Sequence, residues 1–141
     1  MPFDVQWLYA DRVVYAHAHG SGSIADAIGM SEAIVGCLDA ASHDQLYVVV
    51  EDRIKPGGSP PVLREVREAS QWLSHPAMAG VLMVKNPNPF TGFVQKILMV
   101  SSGSEHWFVN SLPDAIEKVQ ALVPELRDVP PADVRHNPPT A

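Results

Sequence analysis

The sequence predicts a single α/β domain in which helices cover a mixed β-sheet. Three observations support this class: an alternating hairpin pattern at the start, three later strand patterns, and amphipathic helical patterns between them. The predicted order is β-β-α-β-α-β-α-β-α over residues 1–123, followed by a proline-rich C-terminal tail at 124–141. A hairpin followed by strands that alternate with helices implies antiparallel pairing first and parallel pairing beyond it.

The first half of the chain predicts the hairpin, a helix and a central strand. Residues 3–9 alternate between two faces, and residues 12–18 form a second strand pattern after a short turn. Ser23, with Asp26 three positions later, is typical of a helix start and precedes apolar residues at helical spacing. Residues 46–50 (LYVVV) are apolar throughout, which is typical of a parallel strand covered on both faces.

The second half predicts three more helices and two more strands. A helix over 61–74 buries an apolar stripe and precedes a central strand at 80–85. Asn88 caps a third helix, which is apolar over more than one stripe and leads to a strand at 105–110. Ser111 then starts the last helix. The stripe of the 61–74 helix comprises Val62, Val66, Ala69 and Leu73, with Trp72 outside it.

The region from Pro124 onward differs in composition from the rest of the chain. Five of its 18 residues are proline and hydrophobic periodicity is lost, so a flexible or extended segment, or one that binds a partner, is expected there.

Composition narrows the functional classes. Hydrophobic residues make up 46% of the 141 residues and charged ones 18%, which is typical of an ordered globular domain. A net charge of −6, with no cluster of lysine and arginine, argues against nucleic-acid binding. The start of the sequence lacks a signal-peptide pattern, no apolar run is long enough for a transmembrane segment, and Cys37 has no cysteine to pair with. We therefore expect a cytoplasmic location and a structural role for Cys37.

Three segments resemble the STAS domains of the anti-sigma-factor antagonist superfamily and their SpoIIAA-like relatives. They are LYVVVEDRIKPGGSPPVLREVREASQWLSHP at 46–76, GVLMVKNPNPF at 80–90 and FVNSLPDAIEKV at 108–119. The resemblance covers about residues 3–123, and the order of elements contributes as much to it as the motifs. It implies a bacterial, cytoplasmic, non-enzymatic module for signal transduction that docks onto a partner protein.

The resemblance assigns one candidate regulatory residue, Ser59. Well-known members of the superfamily are phosphorylated on a serine in an Asp-Ser-Ser-Gly-like segment, and the corresponding segment here is Gly57-Gly58-Ser59-Pro60-Pro61. Proline lacks an N–H, so Pro60 and Pro61 remove two backbone donors that would hold a phosphate at this helix start. Ser59 is therefore either a helix cap or a phosphorylation site, and the donor count favours the cap.

Other chemistry-bearing patterns are sparse. His17 and His19 share a strand face, but a metal site needs further ligands and nothing in the sequence places them nearby, so no metal is predicted. Glu51 and Asp52, at the end of the central strand, suit either a ligand site or a solvated turn that pairs with Arg53. No nucleophile–base set and no phosphate-binding loop can be identified, so neither enzymatic activity nor a cofactor is expected.

The sequence thus favours a regulatory or assembly module that acts through protein–protein contacts or self-association. One alternative is a carrier with an apolar cavity for a small ligand or lipid, and another is a self-assembling structural subunit. An interaction surface is expected at the end of the central strand, on the exposed side of the second helix and on the third helix. Its predicted residues are Glu51, Asp52, Arg53, Arg64, Trp72, Phe90 and Phe93.

Overall fold

The computed structural model describes residues 3–53, 55–56, 62–86, 95–96, 98–100 and 102–134, with the side chains of 55 and 56 excepted. The strands are β1 (Phe3–Tyr9), β2 (Val13–Ala18), β3 (Ser21–Gly22), β4 (Leu46–Asp52), β5 (Lys55–Pro56), β6 (Met78–Val84) and β7 (His106–Val109). The helices are α1 (Ile24–Ala40), α2 (Leu63–Ala69), α3 (helical residues 95, 96, 98–100 and 102) and α4 (Leu112–Leu122). Two 3₁₀ helices follow α2 and α4, at Gln71–Ser74 and Pro124–Asp128.

The five-stranded sheet has the order β1-β2-β4-β6-β7 and is mixed. β1 pairs antiparallel with β2, while β2, β4, β6 and β7 are mutually parallel. This arrangement confirms the single α/β domain with an antiparallel hairpin beside parallel strands. A two-residue parallel pairing of β3 with β5 was not predicted, because neither segment carries an apolar pattern.

Each face of the sheet has its own hydrophobic core. On one face, side chains of α1, of the 3₁₀ helix Gln71–Ser74 and of α3 pack against Val48, Val50 and Val81. On the other face, α4 and the residues after it pack against Val49 and Leu82. Successive strand residues point to opposite faces, and both faces are covered at residues 46–50 of β4, which explains the unbroken apolar run there.

The structure corrects two expectations about the second helix. The predicted 61–74 helix is divided at Ser70 into α2 and the 3₁₀ helix, and Val62, assigned to the buried stripe, is 55% exposed. Trp72, expected outside the stripe and on the interaction surface, is only 6% exposed. The tighter 3₁₀ turn changes the helical phase, so that Trp72 and Leu73 both enter the core.

Residues 124–134 also differ from the flexible or extended segment that was expected. Pro124–Asp128 form a 3₁₀ helix, and Leu126 and Val134 are buried in the same core as α4. The Ala132 N–H donates a hydrogen bond of 2.8 Å to the Leu8 carbonyl, which ties this segment to β1. These two apolar residues are too widely spaced to give a periodic signal.

Candidate functional site

A groove runs between α2 with its 3₁₀ extension on one side and α3 on the other. Its volume is about 380 Å³, and we call it the α2–α3 groove. The residues that line it are Leu63, Val66, Arg67, Ser70, Gln71, Leu73, Ser74, Leu98 and Ser102. Leu63, Arg67 and Ser70 follow one another at spacings of four and three, so one helical stripe of α2 forms part of this wall and the 3₁₀ helix extends it.

Three large apolar side chains of α2 and α3 are exposed, and one of them lines the groove. Leu63 is 66% exposed and lies in the wall itself. Val62 at the start of α2 and Val100 on α3 are 55% and 71% exposed. Of these three, Leu63 lines the groove, and a large apolar side chain exposed beside a concave surface is typical of a site that binds another molecule.

Local contacts hold the two walls in place. The Glu65 carboxylate accepts a hydrogen bond of 3.0 Å from the Val62 N–H and so caps the start of α2. At the other end, the Ser104 hydroxyl donates to the Leu73 carbonyl at 3.1 Å, which joins the chain after α3 to the 3₁₀ helix. Among the described lining residues, Arg67 is the one that carries a charge.

Gln95 is an unsatisfied polar residue on α3. It is only 6% exposed, and neither its amide nitrogen nor its amide oxygen has a hydrogen-bond partner among the described residues. Burying an amide in this way costs about 1–3 kcal/mol. Gln95 precedes Leu98 and Ser102 by three and seven positions, so it shares a helical stripe with two residues of the groove.

Glu51 and Arg53 belong to a polar cluster at the carboxyl end of the sheet. The Tyr15 hydroxyl donates to Glu51 Oε1 at 2.7 Å, and Arg53 Nε lies 3.5 Å from Glu51 Oε2. Both oxygens of this carboxylate are therefore engaged. The Asn86 side-chain amide donates to the Asp52 carbonyl at 2.6 Å, which ties the ends of β4 and β6 together.

The predicted interaction surface is thus divided between the two faces of the sheet. Val49 belongs to the α4 side, so by strand alternation Glu51 points to that side as well, together with Arg53. Arg64 is exposed on α2, which lies on the opposite face. Ser59, Phe90 and Phe93 lie outside the described residues.

The structure does not gather metal ligands around the two strand histidines. The rings of His17 and His19 are 5.1 Å apart, and His17 lies 5.9 Å from the Tyr15 ring. Two other histidines have hydrogen-bond partners elsewhere. His75 Nε2 lies 2.7 Å from Asp39 Oδ1, and His106 Nδ1 lies 2.9 Å from the Ser104 carbonyl. Within the described ranges, no three side chains of the metal-binding types come together.

Cys37 is a half-buried residue of α1 that packs against the core, and it has no cysteine partner. Burial raises the pKa of its thiol, which disfavours the reactive thiolate at neutral pH.

None of the residues that line the groove is among the interaction residues predicted from the sequence. Leu63 is apolar yet outside the predicted stripe of its helix, and that mismatch is a signal for an exposed apolar residue.

No helix in the described part of the chain is both long and apolar enough to cross a membrane. No protein-family model, curated protein or solved structure matches the chain.

Proposed function

We propose that this chain is a non-catalytic, STAS-like regulatory or assembly module of the bacterial cytoplasm that binds a partner protein in the α2–α3 groove. The observation that carries the proposal is the 66% exposed Leu63 in the wall of that groove, beside the aliphatic lining of Val66, Leu73 and Leu98. Covering an exposed leucine or valine contributes about 1–2 kcal/mol per side chain. Exposed apolar side chains beside a concave surface often mark a binding groove for a partner.

The chemistry of the groove defines what it can bind. Its floor and wall are aliphatic, through Val66, Leu73 and Leu98, and its charged lining residue is the cation Arg67. The complementary ligand is an amphipathic segment of a partner protein, with apolar side chains for the groove and an acidic residue opposite Arg67. Two walls that are both helical favour binding of such a segment as a helix.

Site-specific photo-crosslinking in the source cells tests this proposal. A photoreactive phenylalanine analogue replaces Leu63, and a matched variant carries it at the exposed Asp128, which lies after α4 on the other face of the sheet. We expect a discrete protein adduct from position 63 alone, and we expect Arg67→Glu to reduce its yield several-fold. Equal labelling at both positions, or no protein adduct from position 63, would refute docking in the groove.

A second function, carriage of a small apolar ligand or lipid, is favoured by the size of the same groove. Its volume of about 380 Å³ falls in the range of small-molecule sites. Native mass spectrometry of the protein isolated from its own cells distinguishes the two functions. A retained molecule of less than about 1 kDa that is lost in Leu98→Asp would support the carrier. An empty protein, combined with a position-63 protein adduct, would support docking.

The same spectra, recorded before and after phosphatase treatment, address Ser59. A phosphate on Ser59 would support regulation of docking by phosphorylation. An unmodified Ser59 would argue against such regulation. The expected role of Ser59 as the cap of this helix is wrong, because the N-cap of α2 is Val62.

A further inference from the structure

β7 is an edge strand of the five-stranded sheet that the described residues form. The Val81 N–H donates to the Glu105 carbonyl at 2.9 Å and the Lys85 N–H donates to the Val109 carbonyl at 2.8 Å. Backbone groups alternate in direction along a strand, so residues 105, 107 and 109 face β6. The N–H and C=O groups of His106 and Phe108 therefore point away from the sheet, and no strand in the described part of the chain pairs with them.

At the opposite edge, β1 has features that discourage pairing with a further strand, whereas the described residues of β7 have none. β1 carries the exposed charge of Asp4 and an irregular register between Trp7 and Tyr9, and both features discourage a further strand from pairing. β7 reads His-Trp-Phe-Val, with no proline, no acidic residue and no lysine or arginine. After α4 the chain runs toward β1, as the Ala132–Leu8 hydrogen bond shows, and so leads away from β7.

A second groove follows this open edge, formed by the end of β7 and the outer side of α4. Its volume is about 360 Å³, and we call it the edge groove. The residues that line it are Phe108, Val109, Asn110, Asp114, Glu117, Lys118 and Ala121. The Lys118 ammonium lies 5.5 Å from the centre of the Trp107 ring, which positions this cation beside β7.

The stripe of α4 that lines the edge groove carries charges that complement those of the same stripe on a second copy. Asp114, Glu117, Lys118 and Ala121 lie at spacings of three, one and three, which form one helical stripe. If two such stripes meet antiparallel about a two-fold axis between positions 117 and 118, each Glu117 faces the Lys118 of the second copy. Each Asp114 then faces Ala121, so no two like charges are opposed. A two-fold contact requires this kind of self-complementary surface.

We propose that the edge groove binds a second copy of this chain. In that dimer β7 pairs antiparallel with the β7 of the other copy, and the two α4 helices lie side by side. The two five-stranded sheets then form one ten-stranded sheet. A four-residue strand and two helical turns make a small interface, so the dimer dissociates in the micromolar range. This inference uses a different surface from the α2–α3 groove and stands independently of the proposed function.

Charge reversal on α4 tests the dimer. Sedimentation equilibrium of the full chain, from about 5 to 500 μM, compares the wild type with Glu117→Lys, Lys118→Glu and the double variant that exchanges both charges. Each single reversal opposes like charges at both symmetric contacts, and we expect it to weaken dimerisation by about tenfold or more. The double exchange restores opposite charges and should return the dissociation constant to within a few-fold of the wild type.

Mixing the two single variants provides a control against misfolding. In a mixed pair, one copy carries lysines at 117 and 118 and the other carries glutamates at both positions. Each lysine then faces a glutamate across the two-fold axis, so a heterodimer should form where neither variant dimerises alone. The Phe108 amide reports on the strand contact, and its hydrogen exchange should slow at least about tenfold above the dissociation constant. A protein that stays monomeric at 500 μM, or a dimer that ignores the charge exchanges and leaves Phe108 unprotected, would overturn the proposal.

Discussion

Replacing Gly80 with alanine tests how β6, β7 and β4 fit together. A Cβ atom built at Gly80 would lie 2.6 Å from Trp107 Cζ3 and 3.2 Å from Tyr47 Cε1. The two rings flank the site, with centroids 6.4 Å apart. Because 2.6 Å is well inside van der Waals contact, the added methyl group must displace the Trp107 ring or shift the backbone of β6.

The expected cost follows from known effects of overpacking. Forcing a methyl group into a filled core destabilises a protein by about 1–3 kcal/mol, while loss of glycine from the unfolded chain returns about 0.5–1 kcal/mol. The net loss in the free energy of unfolding is therefore about 1–2 kcal/mol. With an unfolding entropy near 2.1 cal/mol/K per residue, a chain of this length should lose about 3–7 °C in Tm.

Thermal and urea unfolding, followed by circular dichroism, measure this change. Gly36→Ala is the matched control, because no atom lies within 4 Å of a Cβ at that exposed position of α1. It should gain about 0.5–1 kcal/mol through helix propensity. In a Trp107→Leu background the penalty of Gly80→Ala should shrink by about 1 kcal/mol. If Gly80→Ala is as stable as the wild type, the described contact between β6 and Trp107 is wrong.

Three further substitutions probe other contacts. Trp72→Ala should lower the free energy of unfolding, measured in urea, by about 3–5 kcal/mol. The control Gln71→Ala, at an exposed neighbouring position, should change it by less than about 0.5 kcal/mol. If both variants have similarly small effects, Trp72 lies on the surface. Gln95→Leu should raise the free energy of unfolding by about 1–3 kcal/mol, because two unpaired amide atoms leave the core, and a lower urea midpoint would show that the amide has partners. Hydrogen bonds from Ser42, chiefly from its hydroxyl, hold the pKa of Asp11 below its ordinary value of 3.8. This carboxylate therefore stabilises the fold above pH 3.8 and ceases to do so as pH falls through its lowered folded-state pKa. Ser42→Ala should then be less stable than the wild type at pH 6 and nearly equal to it once both forms are protonated near pH 2; an equal deficit at both values would exclude this linkage.

Much of the sheet could be predicted because its signals are local. The apolar run of β4 and the capping pattern at Ser111, whose hydroxyl accepts from the Asp114 N–H at 3.3 Å, depend on neighbouring residues and were recognised. Trp72 was misplaced because a 3₁₀ turn alters the helical phase, and this change depends on tertiary packing. The burial of Val134 depends on a contact with a distant part of the chain, which periodicity does not encode.

The candidate site was predicted only in outline. Sequence reasoning identified the second and third helices as a surface, and the structure describes a groove between them. It also grouped Glu51 with Arg64, although strand alternation directs Glu51 to the other face. The edge groove was not foreseen, because the open edge of β7 depends on strand order.

The contact between the last core residues and the first hairpin also affects how the chain is made. Leu8 and Tyr9 share a core with Leu126 and Val134, which are synthesised long after the hairpin. Until Leu126 and Val134 emerge, the apolar face of the hairpin lacks part of its cover. A prematurely terminated product that ends before Leu126 should keep this face exposed, which makes it a substrate for chaperones and proteases. Emergence of the segment through Val134, rather than emergence of the sheet, is thus the event that completes this core.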